Sequence, residues 1–310
     1  MKSSQQDVLD AARSWLASSH TVELVTVIRT WGSSPRPPGS IAAIRDDGVM
    51  AGSVSGGCVE TELSERFKSS DLPQVHTHHI DDEHARRFGL ACGGELELLF
   101  ETLTDSGSLD TVIDLLNQRE RVVRRVCTET QSVLVDRADD SDVFEWQAPQ
   151  LTQVFGPAWQ LLLVGAGELS RFTARFAQAV DFNVLVVEPR AKFRAGWNVE
   201  GVPVLDMSPD DAVNEYATDR QSAVLALSHD ANIDDLGLME ALPSQAFHVG
   251  ALGSKSNYVK RCKRLAGLDV PEHSIARLKG PVGLSISARG SAEIAISIVA
   301  ELIQERQKLL

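Results

Sequence analysis

The chain has 310 residues, of which 43% are hydrophobic and 24% are charged, a composition typical of soluble globular proteins. Two domains are expected at this length, because single cores rarely grow beyond about 250–300 residues. The formal net charge of −13 argues against nucleic-acid binding, since phosphate recognition needs a concentrated basic face.

Targeting and membrane signals are also missing from the sequence. The N-terminus, MKSSQQDVLD, lacks the apolar core of a secretory signal, and no apolar run approaches the roughly 20 residues that span a bilayer. The four cysteines show no C-x-x-C spacing, which is typical of free thiols in a reducing compartment. The sequence therefore predicts a cytoplasmic protein that is not embedded in a membrane.

The first half of the chain predicts a mixed α+β domain. Apolar spacing predicts a helix over 6–18, and alternation with β-branched residues predicts a strand over 21–31. The following elements are a Gly/Pro loop (32–40), a hairpin turning at Asp47-Gly48, a helix from about Val59, strands at 75–80 and 95–103, a helix at 109–118 and a second hairpin over 121–136. Function is expected in the Gly/Pro-rich loops of this domain.

The second half predicts a Rossmann-type doubly wound parallel sheet. Short apolar strands alternate with helices after residue 159, a pattern of parallel strands covered on both faces. An acidic patch and two prolines precede this change of pattern. We therefore expect an α/β protein with an α+β domain over 1–147, a linker over 148–158 and a nucleotide-binding domain over 159–310.

A glycine-rich loop is the strongest single signal. In LLLVGAGELSRF, Gly165 and Gly167 follow an apolar strand and open a helix, and the next strand ends at Glu188. Such glycines let backbone N–H groups approach a pyrophosphate, and the acidic residue accepts hydrogen bonds from the ribose hydroxyls. Ser170 replaces the third glycine, and Glu168 would compete with a phosphate for the helix dipole. The alternative is a Rossmann scaffold that binds no dinucleotide.

A second loop, VGALGSKSNYVKR, offers another anion site at the end of the fifth strand. Gly253, Ser254 and Lys255 would supply free N–H groups and a cation, although an ordinary turn with an N-cap serine has the same pattern. Asp230 would face the same rim, because ligands bind at the carboxyl ends of parallel strands. Arg289 could add an anion contact before the last helix, although a solvated loop arginine is the default interpretation. The basic run KRCKRL (260–265) reads as a solvated helix surface.

Two cysteines stand beside the two Gly-Gly pairs of the chain. Cys58 follows Gly56 and Gly57 where a helix begins, a position that favours thiolate. Cys92 precedes Gly93 and Gly94, which allow close approach of a ligand. The alternative is that both are small buried hydrophobes, as is expected of Cys127 and Cys262.

The histidine-rich segment HTHHIDDEH contains one His-x-His pair, His76 and His78, on a predicted strand. No third ligand at a characteristic spacing completes a metal site, so a hydrated surface is favoured over metal binding. The hydrolase and kinase motifs G-x-S-x-G, H-E-x-x-H and the kinase signature set do not occur.

Several of these motifs resemble the XdhC/CoxI family of molybdoenzyme accessory proteins. GSSPRPPGSIAAIRDDGVMAGSVSGGCVE and GLACGGELELLFE resemble its N-terminal domain. VGAGELS…VVEPR, HVGALGSKSNYVKRCKRL and GPVGLSISARGSAEIAISIVAELI resemble its C-terminal Rossmann-type domain. The similarity covers nearly the full chain. Glu168 and Ser170 stand where members of the family often have histidine and glycine.

The resemblance implies a molybdenum cofactor chaperone more than a free-standing enzyme. Such a protein binds and protects the cofactor, supports its sulfuration and delivers it to a xanthine dehydrogenase-type molybdenum hydroxylase. The implied ligand is molybdopterin or its cytosine dinucleotide, with Cys58 and Cys92 facing the molybdenum or its sulfur in a cleft between the domains. Implied partners are the apo-hydroxylase, a cysteine desulfurase and a cytidylyltransferase, and a homodimer is compatible with edge strands. The alternative is an NAD(P)-dependent oxidoreductase that uses the Rossmann domain.

Overall fold

A computed structural model of the chain describes residues 4–32, 36–57, 59–65, 70–80, 94–139 and 141–309. The chain divides into two compact units, residues 2–157 and residues 158–310, and each is described by itself. Among the described residues, no helix is long and apolar enough to cross a membrane.

The described part of the N-terminal unit contains two antiparallel sheets and three helices. The strands are β1 (Val22–Gly32), β2 (Ile41–Arg45), β3 (Met50–Gly52), β4 (Gln74–Ile80), β5 (Gly94–Leu103), β6 (Val122–Cys127), β7 (Val133–Arg137), β8 (Glu145–Gln147) and β9 (Gln150–Phe155). The helices are α1 (Ser4–Ala17), α2 (Glu60–Glu65) and α3 (Gly107–Asn117). One sheet has the strand order β3-β2-β1-β5-β4, and the other has the order β7-β6-β9-β8.

The two faces of the five-stranded sheet are covered by different elements. Successive side chains of a strand point to opposite faces, so neighbours such as Leu24 and Val25 enter different cores. Val25 packs with Leu96, Leu98 and Leu63 of α2. Leu24 joins the core that is formed with α1, α3, β6 and β9. The inner strands of the sheet are therefore covered by α2 on one face and by α1, α3, β6 and β9 on the other.

The C-terminal unit is the doubly wound parallel sheet that the sequence predicts. Its strands are β10 (Gln160–Val164), β11 (Asn183–Val187), β12 (Val204–Leu205), β13 (Ser222–Ala226), β14 (His248–Ala251) and β15 (Leu278–Lys279). Its helices are α4 (Glu168–Ala179), α5 (Ala191–Arg194), α6 (Pro209–Tyr216), α7 (Ala231–Ala241), α8 (Lys255–Ala266), α9 (Glu272–Ile275) and α10 (Ser291–Arg306), followed by a 3-10 turn (Gln307–Leu309). The strand order is β12-β11-β10-β13-β14-β15.

Both faces of this parallel sheet are apolar, as the uninterrupted hydrophobic runs require. All five residues of β10 are buried, with Leu161 and Leu163 facing one core and Leu162 and Val164 facing the other. Helices α4 and α10 contribute to the first core, and α6, α7 and α8 contribute to the second. The fold class predicted from the sequence is thus confirmed.

The segment that the sequence predicts as a linker contains a strand. Within 148–158, β9 pairs with β6 along its whole length, and β8 pairs with β9 across a turn at Pro149. The units divide between Pro157 and Ala158. Alternation in β9 buries Leu151, Gln153 and Phe155, but the flanking prolines and the acidic patch obscure that pattern in the sequence.

Candidate functional site

The predicted nucleotide loop lies where the strand order of the parallel sheet reverses. Strand β10 has β11 on one side and β13 on the other, and the chain moves outward in both directions from this point. Ligands of such sheets bind outside the carboxyl ends of the strands at this reversal. The loops after β10, β13 and β14 leave from that edge, so the predicted residues Gly165, Gly167, Asp230 and Gly253 belong to one rim.

The two glycines of the loop have different roles. Gly165 has a φ of +103°, and a Cβ there would lie 2.5 Å from the Cα of Ser228, so the residue is needed for close packing against the β13 loop. Gly167 is the N-cap of α4, and a Cβ there would meet nothing within 4 Å. The backbone at Gly167 is therefore open to a ligand, beside the first-turn N–H groups that a helix leaves without intrahelical partners.

Glu188 is fully buried beneath this loop and accepts four hydrogen bonds. Its Oε2 accepts from the Ala166 N–H (3.1 Å) and Arg190 Nη2 (2.9 Å), and its Oε1 accepts from the Arg190 N–H (3.0 Å) and Nε (2.7 Å). Burial alone would raise the pKa of Glu188, but the hydrogen bonds from Arg190 and Ala166 outweigh burial and lower it. The carboxylate therefore holds the loop in place, and its predicted contact with a ribose stays a prediction.

Arg190 is a site residue that sequence reasoning missed. Besides Glu188 at the end of β11, its guanidinium reaches Asp230 after β13, with Nη1 3.8 Å from Oδ2. It also lies 4.1 Å from the ring centroid of Phe193, which supports its flat face. Since β11 and β13 flank β10, Arg190 joins the two sides of the strand that carries the glycine loop. Its position two residues after Glu188 was the signal available in the sequence.

Asp230 has a structural role in addition to its place on the rim. It is the N-cap of α7, and its Oδ1 accepts a hydrogen bond from the Asn232 N–H at 3.0 Å. Such a cap satisfies one of the free N–H groups of a helix N-terminus. The same carboxylate balances the charge of Arg190.

Glu168 connects the starts of two helices. It is the first residue of α4, and its Oε2 accepts a hydrogen bond from the Ser291 hydroxyl, the first residue of α10, at 2.8 Å. Arg289 lies exposed two residues before Ser291, and its backbone N–H donates to Glu293. The exposed carboxylate of Glu168 therefore stays close to the place where a phosphate would approach α4.

The loop after β14 forms a conventional helix start. Ser254 is the N-cap of α8, with its hydroxyl accepting from the Asn257 N–H at 3.2 Å, and Lys255 is exposed in the first turn. Gly253 has a φ of +147°. A cavity of about 240 Å³ lies beside this loop, lined by His229, Gly253, Asn257, Lys260 and Arg261, among others.

The basic run KRCKRL is not simply a solvated helix surface. Arg261 is only 8% exposed; its Nη2 donates to Asp234 at 2.9 Å and its Nη1 donates to the Leu252 carbonyl at 3.0 Å. Arg264 donates to Asp235 at 2.6 Å. Burial raises the pKa of Asp234 despite hydrogen bonds from Ser228 and the charge of Arg261. These ion pairs fix α8 against α7, which periodicity alone does not predict.

In the N-terminal unit, the Gly56-Gly57 loop is held by one carboxylate. Glu60 accepts hydrogen bonds from the N–H groups of Val54 (3.1 Å), Ser55 (2.9 Å) and Gly57 (2.8 Å). The hydroxyls of Ser53 and Ser55 donate to it as well. Burial alone would raise the pKa of Glu60, but the hydrogen bonds from the two serines outweigh burial and bring it to about 2. The loop amides thus already surround an anionic group.

The predicted sulfur site falls outside the described part of the chain. Cys58, Cys92 and Gly93 are not among the described residues. Gly94 begins β5, where it pairs with Gly32 of β1 and Ile80 of β4. The convergence of the two cysteines across a cleft between the domains therefore stays a prediction.

The two described cysteines are only partly buried. Cys262 packs against the core that includes α7 and α8, as expected of a small hydrophobic side chain. The pKa of the Cys127 thiol is lowered, chiefly by a hydrogen bond with Thr130. Among the residues that the structure describes, no group of three His, Cys, Asp or Glu side chains is arranged to hold a metal ion.

Together, the fold and the loop geometry define a two-unit protein whose second unit is of the Rossmann type. Residues 161–302 match the family model described as the XdhC Rossmann domain, and residues 15–70 match the model of the XdhC and CoxI family. The chain therefore belongs to the XdhC and CoxI family, as its motifs predict.

Two relatives match along most of their length. The molybdenum cofactor insertion chaperone PaoD of Escherichia coli is 27% identical over 94% of this chain and 85% of its own. A probable xanthine dehydrogenase subunit of Bacillus subtilis is 26% identical over 92% of this chain and 93% of its own. A crystal structure described as a xanthine dehydrogenase from Bacillus halodurans has a TM-score of 0.74 at 26% identity, covering 97% of this chain and 96% of that one.

Proposed function

We propose that this protein binds the molybdenum cofactor and serves its maturation and its insertion into a molybdenum hydroxylase of the xanthine dehydrogenase type. The observation that carries the proposal is the extent of similarity to the Escherichia coli insertion chaperone, which reaches 94% of this chain. A shared Rossmann unit alone would leave the N-terminal unit unmatched. The similarity to the probable xanthine dehydrogenase subunit of Bacillus subtilis has nearly the same extent and supports the same class of partner.

The geometry of the Rossmann loop suits the phosphate-bearing part of such a ligand. The backbone at Gly167 is open, and Arg190 lies beside the loop with one face supported by Phe193. A helix N-terminus and a guanidinium are both favourable partners for phosphate oxygens. These groups would hold the phosphate, or the pyrophosphate of the cytosine dinucleotide form, and orient the rest of the molecule.

The metal end of the ligand is assigned to the cysteines. Soft sulfur ligands suit the molybdenum–sulfur chemistry of the cofactor, and the glycine pairs beside Cys58 and Cys92 allow a ligand to approach. Bound cofactor would supply the redox-active metal centre of the target enzyme. A cysteine desulfurase, as sulfur donor, and a cytidylyltransferase, as source of the dinucleotide form, are the further partners of this proposal.

The experiment measures the cofactor that purifies with the full-length protein under anaerobic conditions. Bound molybdopterin is expected to appear as a fluorescent pterin after oxidation and release, with mass spectrometry showing whether cytidine is attached. Bound NAD(P) without pterin would instead favour the oxidoreductase alternative. Protein that retains neither ligand would count against both functions.

Substitution of each cysteine tests the sulfur assignment. Cys58→Ala and Cys92→Ala should each lower cofactor retention several-fold without unfolding the chain. Cys127→Ala and Cys262→Ala provide matched controls, because these thiols lie outside the proposed site, and both variants should retain wild-type amounts. Unchanged retention in both the Cys58 and Cys92 variants would reject the assignment while leaving cofactor binding itself intact.

A further inference from the structure

The cavity beside the loop after β14 has no role in the function described so far. Its lining comes from the loop after β13 with the start of α7, from the loop after β14 and from α8. Its volume is about 240 Å³, below the roughly 300–1,000 Å³ that is usual for a complete small-molecule site. The cavity therefore has room for one polar group of a ligand.

One face of α8 forms a wall of this cavity. Asn257, Lys260, Arg261 and Arg264 have the spacing i, i+3, i+4, i+7, which places them on the same side of a helix. The sequence of α8, KSNYVKRCKRLA, contains five basic residues and no acidic ones. In a chain with a net charge of −13, this helix concentrates positive charge beside the cavity.

The two arginines of this face are already paired with carboxylates. Arg261 is only 8% exposed and donates to Asp234 at 2.9 Å, and Arg264 donates to Asp235 at 2.6 Å. Asp234, the acidic residue of the lining, is thus matched by Arg261. Within the described ranges, Lys260 forms no ion pair, so its charge remains to attract an anion.

Hydrogen-bond donors from three elements remain available at the cavity. The side chains of His229, Asn257 and Lys260 are exposed. In the part of the chain that the structure describes, neither these side chains nor the Gly253 N–H donates to another protein group. The β13 loop, the β14 loop and α8 therefore each contribute at least one donor.

The backbone brings two of these donors close together. A Cβ at Gly253 would lie 3.2 Å from the Cβ of Asn257 and 3.8 Å from its Nδ2, so the amide of Asn257 lies beside the loop. On the other side, His229 has a φ of +62°, a left-handed conformation that is uncommon for residues other than glycine. Such outliers are frequent at ligand sites, and His229 lines the cavity in this conformation.

We propose that this cavity binds the phosphate group of a phosphomonoester, with Lys260, Asn257, His229 and the Gly253 N–H as donors. A planar carboxylate is bound best by a guanidinium fork, but the forks here already hold Asp234 and Asp235. The remaining donors are separate groups on three elements, which suits the oxygens of a tetrahedral anion. The inference goes beyond the proposed function and does not rest on it.

The cation of this site differs from the one that the sequence predicts. Gly253 and the loop after β14 belong to the predicted anion site, but Lys255 is not part of the lining. Lys260, one turn further along α8, takes its place. The run KRCKRL therefore has two roles, since its arginines fix α8 and its first lysine faces the cavity.

The test is a titration of the full-length protein with inorganic phosphate at low salt, followed by NMR of the Gly253 and Asn257 amides. Lys260→Gln should weaken binding about tenfold, because a charge-assisted hydrogen bond is lost. Lys263→Gln is the matched control: it removes the same charge from an exposed position of α8 outside the lining, and it should bind as the wild type does. An equal loss in both variants, or no loss in Lys260→Gln, would overturn the inference.

A second variant and a second anion test the shape of the site. His229→Gly removes the ring, and glycine adopts the φ of +62° without strain, so affinity should fall about threefold without loss of thermal stability. Acetate should bind at least tenfold more weakly than phosphate. Equal affinities for acetate and phosphate, or unchanged phosphate binding in His229→Gly, would contradict the assignment.

The start of α4 also suits phosphate, so the titration is repeated with Gly167→Val, whose side chain would block that position. Shifts of Gly253 and Asn257 that persist in this variant support binding in the cavity itself, and their loss would overturn it. Cytidine 5′-monophosphate distinguishes the source of the phosphate, because tighter binding than that of inorganic phosphate identifies a nucleotide. Absence of molybdenum cofactor from the purified protein would reject the proposed function and leave this result unchanged.

Discussion

Two buried polar side chains near the start of α4 differ in their hydrogen bonding. Each Glu188 oxygen accepts two hydrogen bonds. Ser170, where the nucleotide fingerprint usually has its third glycine, is fully buried, and its hydroxyl has no hydrogen-bond partner among the described residues. A buried hydroxyl without a partner costs the free energy of its lost hydration.

Replacement of Ser170 by alanine should therefore stabilise the protein. Ser170→Ala removes the unsatisfied hydroxyl and keeps the buried Cβ. Alanine also has a higher helix propensity than serine. We expect the free energy of unfolding to rise by about 1 kcal/mol, measured by urea denaturation. Ser291→Ala is the contrasting variant, because it removes a hydroxyl that donates to Glu168, and it should not stabilise. A loss of stability in Ser170→Ala would show that the hydroxyl is satisfied in solution.

His248 should make stability depend on pH below neutrality. It is buried on β14, and burial lowers its pKa to about 4, against an ordinary value near 6.5. The unfolded chain therefore takes up a proton between pH 6.5 and 4 that the folded chain does not, so stability is complete above pH 6.5 and falls as the pH is lowered. The pKa difference corresponds to a loss of up to about 3 kcal/mol.

The measurement compares the free energies of unfolding of the wild type and His248→Gln from pH 7 to pH 4.5. Glu305, Lys279 and Lys308 also act electrostatically on His248, and Glu301 lies 3.8 Å from its Nε2. Burial raises the pKa of Glu301, which opposes part of the loss. Those groups remain in the variant, so the difference between the two curves isolates the histidine. Parallel curves would contradict a neutral buried imidazole.

At the scale of elements, α2 depends on the loop that precedes it. The six described residues of α2 are too few to form a stable helix from helix propensity alone. Glu60 compensates by accepting five hydrogen bonds from the Ser53–Gly57 turn, and Leu63 anchors the helix in the core. The sequence showed the glycine pair, but it did not show that a carboxylate a few residues later organises it.

Glu60→Gln should loosen this turn. The amide keeps one acceptor but places an N–H₂ group against N–H and O–H donors, so several of the five hydrogen bonds are lost. We expect a loss of about 1–3 kcal/mol in the free energy of unfolding and faster hydrogen exchange of the Val54, Ser55 and Gly57 amides. Glu62→Gln, two positions along the same helix, is the control for exchange at those three amides. Unchanged exchange in Glu60→Gln would mean that the turn holds without the carboxylate.

The sequence predicted the helices and strands best where a single hydrophobic pattern dominates a segment. The parallel strands are continuous apolar runs and α10 is a long uninterrupted helix, so both followed from hydrophobic patterning. Strand β9 was missed because prolines and a charged patch flank only six alternating residues. The role of KRCKRL was missed because its burial depends on Asp234 and Asp235 of a different helix. Contacts between side chains that are distant in the sequence produce no periodic pattern in it.

At the scale of the whole molecule, the acidic chain has distinct polar environments in its two units. In the N-terminal unit, the amides of the Gly56-Gly57 turn already surround the Glu60 carboxylate. The Rossmann rim has an open helix start and Arg190, which suits phosphate. A phosphate or nucleotide at one end of a ligand would bind at this rim. Contributions from the two units should therefore be separable by ligand.

Gly167→Val tests whether the start of α4 binds the phosphate or nucleotide end of the ligand. Since nothing lies within 4 Å of a Cβ at Gly167, the unit should fold with valine there, and the side chain should block approach to the start of α4. We expect at least tenfold weaker binding of the cytosine dinucleotide form and a smaller loss for the nucleotide-free form, which presents one phosphate.

The Gly167 variant is a cleaner probe of the nucleotide end than a change at Glu188, because Glu188 holds the loop itself through four hydrogen bonds. Gly107→Val, at the first position of α3 in the N-terminal unit, is the matched control for valine at a helix start. Calorimetric titration of the full-length variants with each ligand distinguishes the outcomes. An equal loss for both cofactor forms would indicate a general defect, and no loss for the dinucleotide form would remove the α4 loop from the site.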